Sequence, residues 1–162
     1  MERDFRSKMI HFKKAPQFGS QLEHLPIHQD GEKKYVVFNG GVRAGFPSPA
    51  EDFLSNRISL DERYLSKTES TFIIRVKGMS MHPYYQENDV LVIRSDYDPQ
   101  NNDDVVVSIN ASDYTLKRYN KPQATLFALN PDYKDSVKIN ENDEVIILGV
   151  VDVLLREIKK RK

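Results

Sequence analysis

The chain contains no cysteine. Disulfides, thiolate nucleophiles and cysteine-ligated zinc are therefore excluded, and the compartment has to be argued from other features. Net charge is missing as well, since 24 lysine and arginine side chains face 24 aspartate and glutamate side chains over 162 residues. The molecule as a whole offers no electrostatic reason to bind nucleic acid or an anionic membrane without specificity. Long apolar runs are also lacking. The most apolar stretch, Val145 to Leu155, is interrupted by Gly149 and Asp152 and is far shorter than the roughly 20 residues of a membrane-spanning helix. The start, Met1-Glu2-Arg3-Asp4, has no apolar segment behind a basic region and does not read as a secretory signal. A cytoplasmic protein without membrane association is the expectation. There is no internal repeat and no low-complexity tract.

With 39% apolar residues, this length supports one modest core plus an arm. Charge divides unevenly: residues 1–44 carry 8 basic and 5 acidic side chains, leaving 16 basic and 19 acidic in residues 45–162. The first 30 residues sustain neither a helical nor a strand period and read as a largely flexible segment. Tyr35 to Phe38 is β-rich, and the Asn39-Gly40 pair after it tolerates positive φ, so Val42 to Phe46 is expected to fold back beside it. Ser48-Pro49-Ala50-Glu51 is a capping box with proline at the first helical position, which predicts a short helix to about Ser55. Ser59 to Glu62 repeats the capping pattern.

Beyond these come strand-like runs at Thr71–Val76, Val90–Arg94, Val105–Ile109, Tyr114–Tyr119, Thr125–Leu129 and Val145–Leu155. Turn clusters at Gln86–Asp89, Asp98–Asp103 and Asn130–Asp135 separate them. The fold class that follows is mostly β, with short, largely antiparallel strands in a partly closed, barrel-like arrangement. The terminal Lys159-Lys160-Arg161-Lys162 reads as a solvated end.

Gly78-Met79-Ser80-Met81 follows a predicted strand directly, where glycine allows a sharp turn that lifts the next side chains off the sheet. A serine in such a stretch is more often a turn residue than a nucleophile. Lys117, in Tyr114-Thr115-Leu116-Lys117-Arg118-Tyr119, supplies a candidate partner 37 residues on. Strand lysines usually face solvent, but neighbours on a strand point to opposite faces, so Arg118 can be exposed while Lys117 is buried.

A serine hydroxyl needs a base, and the chain has only four histidines: His11, His24, His28 and His82. The first three lie in the N-terminal arm, and a Ser-His-Asp triad through His82 and Asp89 is the lesser alternative. Neutral lysine can serve if desolvation lowers its pKa from about 10.4 to roughly 7 or 8, a cost on the order of 3 to 5 kcal/mol. Leu116, Val76, Val107 and the methionines flanking Ser80 are candidates for that apolar wall.

Four blocks now stand in order: Val42-Arg43-Ala44-Gly45-Phe46-Pro47-Ser48-Pro49-Ala50, Gly78-Met79-Ser80-Met81, Asp89-Val90-Leu91-Val92-Ile93 and Thr115-Leu116-Lys117-Arg118. Together they resemble the LexA/UmuD family of self-cleaving serine peptidases, and Gly-Phe-Pro-Ser-Pro-Ala is UmuD-like. Intervals of 36 residues from Ala44 to Ser80 and 37 from Ser80 to Lys117 match the family's pattern. The resemblance covers about residues 41–155. It implies a β-rich catalytic domain over residues 45–162, preceded by a flexible arm, residues 1–44, removed by self-cleavage at Ala44-Gly45. Ser80 would be the nucleophile, Lys117 the general base, and the backbone amides of Met79 and Ser80 the oxyanion hole. No cofactor and no metal are implied.

The implied partners are a second copy of the chain, a RecA filament on single-stranded DNA as activator, and an UmuC-type Y-family translesion polymerase. In place of the glycine that the family often has before the aspartate of the next turn, this chain has Asn88, which tolerates the left-handed conformation. The arm is too short for a helix-turn-helix module, which argues against sequence-specific DNA binding. The rivals are a LexA-type repressor, a signal peptidase, which would need a membrane anchor, and a non-cleaving polymerase-binding or anti-repressor subunit of the same fold.

Overall fold

The computed structural model describes residues 18–28, 31, 35–38, 56–134 and 136–158. The Ala44-Gly45 bond, the fold-back at Val42–Phe46, the helix expected from Ser48 and the basic C-terminus lie outside the described residues. The chain divides into two compact units, one formed by Met1–Ile27 with Ser70–Lys162 and the other by His28–Glu69.

In the smaller unit, β2 (Tyr35–Phe38) pairs antiparallel with β3 (Asn56–Ser59), from Tyr35 opposite Ser59 to Phe38 opposite Asn56. Helix α1 (Leu60–Leu65) starts where the second capping pattern predicts. Ser59 is extended, with φ −89° and ψ 125°, and its hydroxyl accepts from the Glu62 amide at 3.4 Å. Asp61 and Glu62 place negative charge in the first turn, where the exposed amides favour it.

The larger unit is an eight-stranded antiparallel sheet in the order β1-β4-β5-β10-β6-β7-β8-β9. Its strands are β1 (Leu22–Leu25), β4 (Thr71–Val76), β5 (Val90–Arg94), β6 (Asp104–Ile109), β7 (Thr115–Asn120), β8 (Thr125–Phe127), β9 (Val137–Lys138) and β10 (Val145–Leu155). Three of them, β4, β5 and β10, have the boundaries expected from their runs of branched apolar residues. Strand β5 is buried from Leu91 through Arg94, so it is covered on both faces, which is why its sequence runs apolar instead of alternating.

Strand β10 pairs with β6 through Val145–Val150 and with β5 through Val150–Leu155, with register shifts near Gly149 and Val153. At Gly149 an added Cβ would lie 2.5 Å from the Arg94 carbonyl oxygen, so only glycine lets the two backbones approach at this bulge. The sheet curls into a partly closed structure around two apolar clusters. One gathers Ile74, Leu91, Val106, Leu116 and Leu148 with Met81 and Leu22, and the other gathers Val105, Val107, Tyr119, Leu126 and Val150.

Part of the N-terminal segment read as largely flexible is a strand, while residues 1–17 lie outside the described residues. Residues Leu22–Leu25 form the edge strand β1, in register with β4 from Leu22 opposite Val76 to Leu25 opposite Ile73. Phe18 bridges to Tyr114, and its ring stacks on His24 at 5.5 Å. Four residues are too few to show a period, and this strand exists because β4 offers it an edge and the first cluster offers Leu22 a site. The two-residue β9 was missed for the same reason, and β8 stops at Phe127 instead of Leu129.

Leu22 is only 4% exposed. Leu22→Ala should therefore cost about 2 to 4 kcal/mol of stability in denaturant unfolding of the full chain. A change below about 0.5 kcal/mol, the range of an ordinary surface site, would show that this segment is not part of the folded unit.

Candidate active site

Ser80 lies in the connection between β4 and β5. The amides of Lys77 and Gly78 donate to the Gln21 carbonyl at 2.9 and 3.1 Å, so β1 holds the exit from β4. At the far end of the connection, Asn88 has φ 74°, the left-handed conformation expected of it, and its amide donates to the Val76 carbonyl at 2.8 Å. The loop is thus closed at its base, and Ser80 is carried on its rim.

Gln21, Leu22, Val76, Gly78, Ser80, Met81 and Leu116 line a small recess. Its apolar wall includes Val76, Met81 and Leu116, all buried, as the sequence suggests. Val107 belongs instead to the second cluster, and Met79 is 43% exposed.

Lys117 follows Leu116 on β7, opposite Val105 of β6, and is only 8% exposed. Its neighbour Arg118 is partly exposed and makes a two-pronged ion pair with Asp104, 2.9 Å from Nε to Oδ1 and 2.9 Å from the guanidinium to Oδ2. The expected alternation, with lysine buried and arginine toward solvent, is present. The Tyr85 hydroxyl donates to Asp104 at 2.7 Å. Burial, and then the Asp104 carboxylate, push the Tyr85 phenol far above its ordinary range, so it remains a neutral donor.

Asn130 was read from sequence only as the start of a turn cluster, yet the structure brings it to Ser80. Its side-chain Nδ2 donates to the Met79 carbonyl at 2.8 Å, and its backbone amide donates to the Ser80 carbonyl at 2.9 Å. A buried asparagine on a loop about 50 residues away carries no local signal of such a role.

The histidine alternative loses its orienting carboxylate. Asp89 is 2% exposed and is taken up by Arg156, with Nε 2.8 Å from Oδ1 and the guanidinium 2.6 Å from Oδ2. The Gln86 amide also donates to Oδ2, at 2.7 Å. Among the described residues, no group of three or more His, Asp or Glu side chains is placed to hold a metal ion. No helix among them is long and apolar enough to cross a membrane.

Against known protein families, residues 36–152 match the Peptidase S24-like model. The chain belongs to the Peptidase S24-like family. Curated relatives agree with the LexA/UmuD resemblance. Protein ImpA of Salmonella typhimurium is 30% identical over 145 residues, spanning 87% of this chain and 98% of that protein. Protein MucA of Escherichia coli is 31% identical over 112 residues, or 68% of this chain and 76% of MucA. A LexA repressor from Geobacter is 32% identical over 123 residues, 74% of this chain and 60% of the repressor. The S24-like match spans the Ser80 loop and β7 alike.

Burial by itself would raise the Asp89 pKa, but the hydrogen bond from Arg156, the Gln86 amide and the charge of Arg156 together hold it below the ordinary value. With the folded pKa below the unfolded one, the pair's contribution is present above the unfolded carboxylate pKa of about 3.9 and is lost as pH falls through the depressed value. Arg156→Met leaves Asp89 with the Gln86 amide as its partner. It should lower the unfolding midpoint at neutral pH, and part of the loss should be regained on acidification, when Asp89 becomes neutral. An unchanged unfolding midpoint at neutral pH would contradict this account of the turn.

Proposed function

We propose that this chain is an UmuD-like SOS-response protein that cuts its own backbone between Ala44 and Gly45, with Ser80 as nucleophile and Lys117 as general base. The observation that carries the reading is the S24-like match, which spans both the loop that carries Ser80 and the strand β7 on which Lys117 is buried. Desolvation disfavours the ammonium form, which is what a lysine must lose to act as a base. S24-like membership supports serine-peptidase chemistry, and the ImpA, SamA and MucA relatives support the UmuD branch over a repressor.

In the reacting state neutral Lys117 takes the Ser80 hydroxyl proton, and Oγ attacks the Ala44 carbonyl carbon. The backbone amides of Met79 and Ser80 stabilise the oxyanion. Collapse breaks the C–N bond, the lysine proton passes to the Gly45 amine, and water then hydrolyses the Ala44 ester on Ser80. Tethering makes the step effectively intramolecular, with effective molarities of about 10⁵ to 10⁸ M in well-oriented cases, so a modest dyad suffices. Control then lies in how often the scissile segment, from the same chain or a partner's, is seated on Ser80. A RecA filament on single-stranded DNA raises that population, and the product, residues 45–162, acts as a homodimer with an UmuC-type polymerase.

Ser80→Ala and Lys117→Ala should each abolish cutting in a folded protein, while His82→Ala should change the rate less than about threefold. Without RecA, the rate should climb from about pH 7 toward pH 10 as lysine is deprotonated, then level off. A histidine base would level off near its own pKa of about 6.5. A flat profile above neutrality, or cutting retained in Lys117→Ala, would overturn the lysine assignment.

A further inference from the structure

We infer that Asn130 is a positioning residue for the oxyanion donor at Ser80, an inference that rests on the reading of Ser80 as the nucleophile. A trans peptide unit is planar, so the Met79 carbonyl and the Ser80 amide point in opposite directions along one rigid plate. Asn130 Nδ2 holds the carbonyl end of that plate at 2.8 Å, and the His82 amide donates to the same oxygen at 3.1 Å. With two donors on one oxygen the plate cannot turn over without breaking both. The next plate is held too, because the Asn130 backbone amide donates to the Ser80 carbonyl at 2.9 Å.

The other end of the first plate is unused. Among the described residues, neither the Met79 nor the Ser80 amide donates a hydrogen bond. Loop amides next to a nucleophilic hydroxyl, held from behind and open in front, are what a developing oxyanion requires.

Asn130 is itself fixed. It is 7% exposed, its Oδ1 accepts from the Asp132 amide at 3.0 Å, and its carbonyl accepts from the Tyr133 amide at 3.0 Å. Four polar groups of one residue are thus engaged, two on the Ser80 loop and two on the Asn130 turn. Only an amide side chain of this length both donates to Met79 and accepts from Asp132. Aspartate would keep the acceptor and lose the donor.

The test follows self-cleavage of the full chain across pH 7 to 10 in wild type, Asn130→Ala, Asn130→Asp and Ser80→Ala, with folding checked by circular dichroism. Asn130→Ala should lower the plateau rate by about 10- to 100-fold, somewhat less than outright loss of an oxyanion donor. Its pH midpoint should stay at the wild-type value, because aim and not the base has changed. Asn130→Asp should fall at least as far, although it keeps the bond to Asp132, and it decides the matter if the alanine variant does not fold. An Asn130 variant that folds and cuts within twofold of wild type overturns the inference. So does one whose midpoint moves while its plateau is kept, since that is the signature of a loosened site and not of a misdirected amide. If Ser80→Ala is inert while the Asn130 variants are unimpaired, only this inference fails, whereas wild-type cutting by Ser80→Ala would remove the nucleophile assignment and the inference with it.

Discussion

Strand β10 satisfies its backbone on two sides, its first half against β6 and its second half against β5. Without it the sheet would be two separate antiparallel sets, β1-β4-β5 and β6-β7-β8-β9. Four strand spacings separate β4 from β7, which in a flat sheet would be about 19 Å. Yet Val76 at the end of β4 and Leu116 on β7 line one recess with Ser80. The sheet must therefore curl, and the register shifts at Gly149 and Val153 are where β10 bends to allow it. The juxtaposition of the Ser80 loop with β7 is a consequence of pairing geometry first and of side-chain packing second.

Charge near the site is arranged in closed pairs. Asp104 is shared between Arg118 and Tyr85, and Asp89 is enclosed by Arg156 and the Gln86 amide. Each of these two carboxylates thus has its partners, Asp104 on β6 and Asp89 just ahead of β5. The loop carrying Ser80 is anchored at its base by β1 and Asn88, and from behind by Asn130. Its stiffness is thus built from hydrogen bonds contributed by two distant parts of the chain, at Gln21 and Asn130, and by its own closing turn at Asn88.

Much of this was legible in the residues. Runs of branched apolar residues identified β4, β5, β6 and β10, the strand-like run from Tyr114 to Tyr119 identified β7, and the Ser59 cap marked α1. The ordered blocks around Ala44, Ser80, Asp89 and Lys117 pointed to the right family because each motif is constrained by its neighbours in sequence. What escaped was set by partners far away in the chain. Strand β1 is defined by the edge of β4, not by its own four residues, and Asn130 is indistinguishable from any turn asparagine until β8 delivers it to Met79. Val107 looked like a wall residue because it is apolar, but alternation on β6 turns it to the other cluster.

The central claim is a chemical event at one peptide bond, and the mass of the products tests it most directly. Purified full-length protein held at alkaline pH, and separately with activated RecA on single-stranded DNA, should yield a fragment of 118 residues beginning at Gly45, with residues 1–44 as its complement. Fragments beginning at any other residue, or an intact chain under both conditions in protein shown to be folded, would contradict the account.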